Sequence, residues 1–153
     1  MGIENKGRGV RKMEKSLVLI KPDAVEKNLI GQIISYYEKA GLKIAALKMV
    51  NVTEDVAGKH YEEHKDKPFY GELIKFITRS PLCALVIEGE DAITKVRKIN
   101  GATNPSEAEE GTIRNAFATS KSENCVHASD SQESALRELN IWFPELVEIT
   151  IAC

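Results

Sequence analysis

Residues 124–131, NCVHASDS, place one histidine among small and hydroxylic side chains, directly ahead of the helix-like run QESALRELNIWF. A helix start presents unpaired N–H groups and favours anions, so an imidazole held there could take a phosphoryl group as a covalent nucleophile. His127 could also be a metal ligand or an ordinary strand-end side chain. Glu138, on the helix that follows, lies close to an otherwise apolar stripe and could face inward to orient the histidine; an exposed helical glutamate is the plainer reading.

Other charges could meet an anion. Lys21 ends the apolar run KSLVLIKPD directly before Pro22, at a strand mouth where ligands of α/β sheets tend to bind. It could instead snorkel to solvent. Arg97, Thr103 in GATNP and Arg114 in GTIR could together hold a polyphosphate, since a guanidinium pairs bidentately with phosphate oxygens. Taken singly, each arginine reads as a surface charge. Neither G-x-x-x-x-G-K-[ST] nor G-x-G-x-x-G occurs, so any phosphate would be held by side chains. A rival pattern is HYEEH at 60–64, which matches the inverted zinc-peptidase motif H-x-x-E-H. On a helix His60 and His64 would lie one turn apart, with Glu63 to activate water. A catalytic zinc needs a third ligand, and a solvated helix face bearing two histidines accounts for the pattern as well.

The elements that must position these groups follow from periodicity. Strands are expected at 15–23, 43–52, 82–89 and 124–129. Helices are expected at 31–42, closed by Gly41; at 53–65, capped by Thr53 and broken by Pro68; at 69–80; and at 90–100. A last helix spans about 131–143, with Asp130 as cap, Glu133 completing a capping box, and an apolar stripe at 135, 139 and 142 (and 136, 139, 143). Residues 101–123 are polar with little periodicity, and an irregular stretch of that length points to a functional loop. The order fits a mixed α/β (α+β) chain: a ferredoxin-like βαββαβ sandwich with a four-stranded antiparallel sheet covered by helices.

The totals bound the rest. The 153 residues suit one domain able to bury a core, and a net charge of −2 gives no strong field toward nucleic acid or membrane. Residues 1–12 read as a disordered basic leader before a single domain at 13–153. With no transmembrane stretch, no signal peptide and three cysteines without a C-x-x-C pair, the expected setting is the cytoplasm.

Together the segments LIKPDAV (19–25), HYEEHKDKPFY (60–70), GATNP (101–105), GTIRNAF (111–117) and NCVHASDSQESALRELNIWF (124–143) resemble the nucleoside diphosphate kinase family over residues 15–150. The resemblance implies transfer of the γ-phosphoryl of a triphosphate such as ATP to a nucleoside diphosphate, by ping-pong through a phosphohistidine at His127. Glu138 would orient the ring's other nitrogen, with Ser129 as its hydroxyl partner. Lys21 and Asn124 would meet the sugar hydroxyls and a nearby phosphate, and Phe69 would stack the base. Arg97, Thr103 and Arg114 would clamp phosphates, with Tyr61 and His64 a pair at the phosphate end. Mg²⁺ would come mainly with the nucleotide, so no protein metal ligand is expected. The loop 101–123 would line the site and pack on neighbouring subunits of a homo-oligomer, hexamer or tetramer. Two departures stand out: Ala128 where many members have glycine, and a short C-terminus, LVEITIAC. A nucleotide- or nucleic-acid-binding regulator on the same fold is the alternative from another class, although such a module has no need of a nucleophile. No membrane and no specific nucleic acid is expected as partner.

Overall fold

The structure, a computed structural model, describes residues 12–146. The expected leader and the end of the short C-terminus, with Cys153, lie outside the described residues. Strand β1 (Met13–Ile20) is followed by helices α1 (Pro22–Glu26) and α2 (Ile30–Lys39), then strand β2 (Lys43–Val50). Helices α3 (Glu54–His60) and α4 (Tyr70–Thr78) flank a single 3₁₀ turn at Glu62–His64. Strand β3 (Leu82–Glu90), helix α5 (Ala92–Asn100), a 3₁₀ turn at Pro105–Glu107, helix α6 (Ile113–Phe117), strand β4 (Val126–Ala128) and helix α7 (Gln132–Trp142) complete the order.

One antiparallel sheet has the order β2-β3-β1-β4, the interleaving of two β-α-β units that defines the ferredoxin-like sandwich. The alternation of a strand explains why β1 and β3 read as unbroken apolar runs. Val18, Ile20, Leu85 and Ile87 join one core with Ile33, Tyr37 and Val96 from α2 and α5. Leu17, Leu19, Ala84 and Val86 join a second core with Ala57, Ile77 and Trp142 from α3, α4 and α7. Both faces of the sheet are covered, and each fully buried aliphatic side chain contributes about 1.5–3 kcal/mol. The edge strand β2 alternates instead, leaving Leu47 and Met49 half exposed.

Several expectations change in detail. Pro22 does more than close a strand: with φ preset, it opens α1 at the first helical position, where its missing N–H costs nothing. The helix expected over 53–65 begins at the Thr53 cap as foreseen but stops at His60. The cap of α7 is Ser131, whose Oγ accepts from the N–H of Ser134 at 3.0 Å. Asp130 instead accepts from the Ser134 hydroxyl, so the box with Glu133 does not form. Its stripe is Ala135, Leu139 and Trp142, with Phe143 beyond the helix end, while Leu136 is 67% exposed. The polar stretch 101–123 contains α6, whose Ile113 reaches the core; a five-residue helix is too short to show a period.

Candidate active site

His127 sits on β4 opposite Leu19 of β1, which fixes the backbone from which its ring projects. Its Nε2 lies 3.0 Å from Oε1 of Glu138, which is 4% exposed and reaches inward from α7. Ser129 Oγ donates to the same Oε1 at 2.8 Å and accepts the N–H of Leu17 at 3.0 Å. The hydroxyl proton is thereby committed to Glu138, and the carboxylate is left with an acceptor for His127. An ionised carboxylate only accepts, so Nε2 carries the ring proton and Nδ1 holds the free lone pair.

The segment entering β4 is strained. Cys125 has φ 72, and the N–H of Val126 bonds back to the carbonyl of Asn124 at 2.8 Å, forming a γ-turn of the rare, strained hand. Ala128, the departure noted above, does not have positive φ; the strain lies three residues earlier. Arg114 holds this turn. Its Nε and Nη2 donate to the carbonyls of Asn124 (3.2 Å) and Val126 (2.7 Å), and Nη1 to that of Gly101 (2.7 Å). Gly101 needs its small size: at φ +87, a Cβ would meet Thr112 Oγ1 at 2.5 Å. Three of the five guanidinium N–H groups are thus spent on backbone, and two remain for a ligand.

A cavity of about 420 Å³ opens before His127, lined by Lys21, Tyr61, Arg97, Thr103, Arg114, Asn124, Asp130 and Glu138 among others. Burial lowers the pKa of Lys21 to about 8, with Asp23 opposing, and raises that of Tyr61 to about 12. Burial also lowers that of Arg114. Asn124 donates to the Thr103 carbonyl at 3.3 Å, and its Oδ1 is buried without a protein partner. A second cavity of about 540 Å³ shares Lys21, Tyr61 and Leu73 with the first, and adds Phe69, Phe76, Arg79 and Lys121. Phe69 is 41% exposed there. His64 lines neither; its ring stands 6.2 Å from Tyr61 and 5.6 Å from Phe69, beside a small cavity that also touches His127. The sequence reading therefore brought together the groups of the first cavity. It passed over Asp130, Phe76 and Lys121 as lining residues, because tertiary packing and not local spacing decides which way each side chain points.

The zinc-peptidase arrangement does not form. His60 ends α3 and turns into the core, where its Nδ1 accepts from Trp142 Nε1 at 3.1 Å, while His64 follows a 3₁₀ turn toward Phe69. Among the described residues one group could hold a metal by distance alone: His60, His127 and Glu138, with ligand atoms within 4.8 Å of one another. Burial holds the pKa of His60 well below its usual value, so the ring is neutral. Since Trp142 can only donate, the proton of His60 lies on Nε2. Neither nitrogen then offers a free lone pair.

The sequence model of the nucleoside diphosphate kinase family matches residues 14–147. A nucleoside diphosphate kinase of Clostridium perfringens is 64% identical over 135 residues, covering 88% of this chain and 94% of that protein. One from Methanobrevibacter smithii is 54% identical over 133 residues, covering 87% and 89%. The crystal structure of the Aquifex aeolicus nucleoside diphosphate kinase superposes with a TM-score of 0.85 at 43% identity, over 88% of this chain and 98% of that one. The chain belongs to the nucleoside diphosphate kinase family, and it is an enzyme of the kinase class.

Proposed function

We propose that this chain carries the γ-phosphoryl group of a nucleoside triphosphate, ATP among them, to a nucleoside diphosphate by way of His127. The observation that carries the reading is the His127–Glu138–Ser129 chain, which leaves an unprotonated Nδ1 before a cavity lined by Lys21, Arg97, Thr103 and Arg114. In the first half-reaction the Nδ1 lone pair forms a bond to the γ-phosphorus in line with the leaving oxygen. The bond from phosphorus to the β–γ bridging oxygen breaks, and the diphosphate departs with that electron pair. The Nε2 proton stays on the ring, donated to the Glu138 carboxylate, which stabilises the ring's positive charge. A second diphosphate then attacks the phosphohistidine from the same site and leaves as triphosphate. Two similar steps at one site give ping-pong kinetics.

In this reading Lys21 and the two free N–H groups of Arg114 meet phosphate oxygens, Arg97 and Thr103 close the rim, and Asn124 Oδ1 accepts from a sugar hydroxyl. Tyr61 stands at the neck between the cavities, and Phe69 stacks the base. His64 acts through its contacts with Tyr61 and Phe69 rather than from the wall of the phosphate cavity. Mg²⁺ prefers hard oxygen donors, and the one potential ligand trio among the described residues is nitrogen-rich. The site therefore fits an ion held chiefly by the nucleotide's own phosphates, where it would neutralise their charge.

Residues 13–153 form one catalytic domain behind a leader at 1–12, and the setting is the cytoplasm, a reading consistent with the unpaired buried thiols of Cys83 and Cys125. The half-exposed Leu47 and Met49 on the β2 edge support a homo-oligomer, with hexamer and tetramer separable by light scattering. The decisive test mixes the protein with γ-labelled ATP and Mg²⁺. Acid-labile, alkali-stable label should appear on wild type, be discharged by GDP or CDP, and be absent from His127→Ala. Nucleotide binding without label would overturn the reading in favour of a binding protein.

A further inference from the structure

The segment Lys21-Pro22-Asp23 supplies two charges, and the mechanism above uses only the first. Asp23 is 1% exposed. Its Oδ2 accepts the N–H of Cys125 at 3.0 Å, while its Oδ1 is buried with no hydrogen-bond partner. The backbone N–H of Lys21 donates to the Cys125 carbonyl at 2.8 Å. The strained residue is gripped at its N–H and at its C=O by one three-residue segment. That bracket fixes how the chain enters β4, two residues before His127. Non-glycine residues with positive φ persist only where their surroundings over-determine them, and this bracket does so.

The same segment carries a buried cation two residues before Asp23. Lys21 is 9% exposed, with Nζ 5.4 Å from the centre of the Phe76 ring. The groups facing Lys21 are Asp23 from α1, Arg114 from α6, Cys125 ahead of β4 and His60 from α3. Tyr61, Arg97, His127, Asp130 and Glu138 line the first cavity it borders, and Glu72, Lys75, Arg79, Lys121 and Glu123 the second. Burial and Arg114 both disfavour its charge, and Asp23 is the largest influence in the other direction. An unpartnered buried carboxylate oxygen is costly unless a cation shares its surroundings.

We propose that Asp23 is a positioning residue of this enzyme: one carboxylate oxygen holds the strained Cys125 turn, and the buried charge of the same carboxylate favours the ammonium form of Lys21, two residues before it in the same segment. This rests on the reading of Lys21 as a nucleotide ligand. Two variants separate the roles. Asp23→Asn keeps an acceptor for the Cys125 N–H and removes the charge; Asp23→Ala removes both.

The titration of Lys21 is followed by NMR on lysine labelled at Cε, without nucleotide, with Lys21→Met to assign the signal. In Asp23→Asn its midpoint should fall by about one unit. The basic limb of kcat/KM should move down by the same amount, so the loss against wild type grows with pH to about five- to tenfold near pH 8. Asp23→Ala should also lower kcat at every pH, because His127 is no longer held. A lysine titration and pH profile in Asp23→Asn that superimpose on wild type would overturn the counter-charge. Wild-type kcat in a folded Asp23→Ala would overturn the holding role. The lysine titration needs no turnover, so it reports on Asp23 even if His127 takes no phosphoryl group.

Discussion

At the His127 end of the groove, Glu138 is 4% exposed and its Oε1 meets both His127 and Ser129, while Arg114 spends three donors on backbone. At the Phe69 end, the platform ring is 41% exposed, and Lys67 and His64 approach it only at 5.7 and 5.6 Å from its centre. One end is over-determined by short, charged hydrogen bonds; the other offers an open face. Chemistry that needs a lone pair aimed in line demands the first arrangement. Binding that must accept any base is served by the second, because every base has a π-face.

Substitutions at the two ends should fail in different ways. Arg114→Ala removes the donors of three carbonyls and, on the proposed reading, two phosphate contacts at once. It should lower kcat/KM about a thousandfold or more and destabilise the fold by about 2–4 kcal/mol, read from urea midpoints. Lysine should rescue little, since a point charge cannot span three carbonyls. Stability and activity near wild type would refute the clamp. Phe69→Ala should raise KM about tenfold for adenine, guanine and cytosine diphosphates alike, with kcat nearly unchanged. A penalty confined to one base would show that this end discriminates between bases after all.

Ser129→Ala leaves the nucleotide contacts alone but strips Glu138 of a partner and the Leu17 N–H of its acceptor. A fall in kcat of up to about tenfold at unchanged KM is expected; a change in KM alone would break the assignment. The smallest effect belongs to the outer rim. Arg79 bonds Glu26 at 2.7 and 3.0 Å and Glu123 at 3.3 Å, tying α4 to α1 and to the loop below Lys121. The Arg79 and Ser80 bonds hold the Glu26 pKa at about 2. A depressed carboxylate stabilises above its unfolded pKa and ceases to as pH falls through the folded one. Glu26→Gln should therefore cost under about 1 kcal/mol at pH 7, the pair being exposed and screened. The difference should shrink from about pH 4.5 down to about 2. A deficit independent of pH would assign the loss to packing.

The contrast between the ends also tracks what was legible in the sequence. His127, Glu138 and Ser129 lie within one continuous segment, so the histidine and its carboxylate stood out as candidates, while their roles and that of Ser129 came from the family resemblance. The alternation that buries β1 on both faces was legible as an unbroken apolar run. What stayed hidden depends on pairings between distant segments. Asp23 gains its meaning from Cys125, and His60 from Trp142, contacts that span 102 and 82 residues. The left-handed φ of Cys125 is invisible in a residue type that rarely adopts it. Pro22 signalled an end where it also marks a beginning, since a fixed φ suits both a turn and a first helical position. At Asp130 and Ser131 two adjacent residues could each cap α7, and backbone geometry chose the second.

Among the described elements β1 is made first and β4 next to last, yet Leu17 must donate to Ser129 across 112 residues and Leu19 must pair with His127 before that ring is in place. Closing so long a loop is slow and comes at the end of assembly. A growing chain on the ribosome therefore holds Lys21 and Phe69 long before it holds a placed His127. On the proposed reading, phosphotransfer begins only when β4 has slid in beside β1, after every other strand of the sheet has been made.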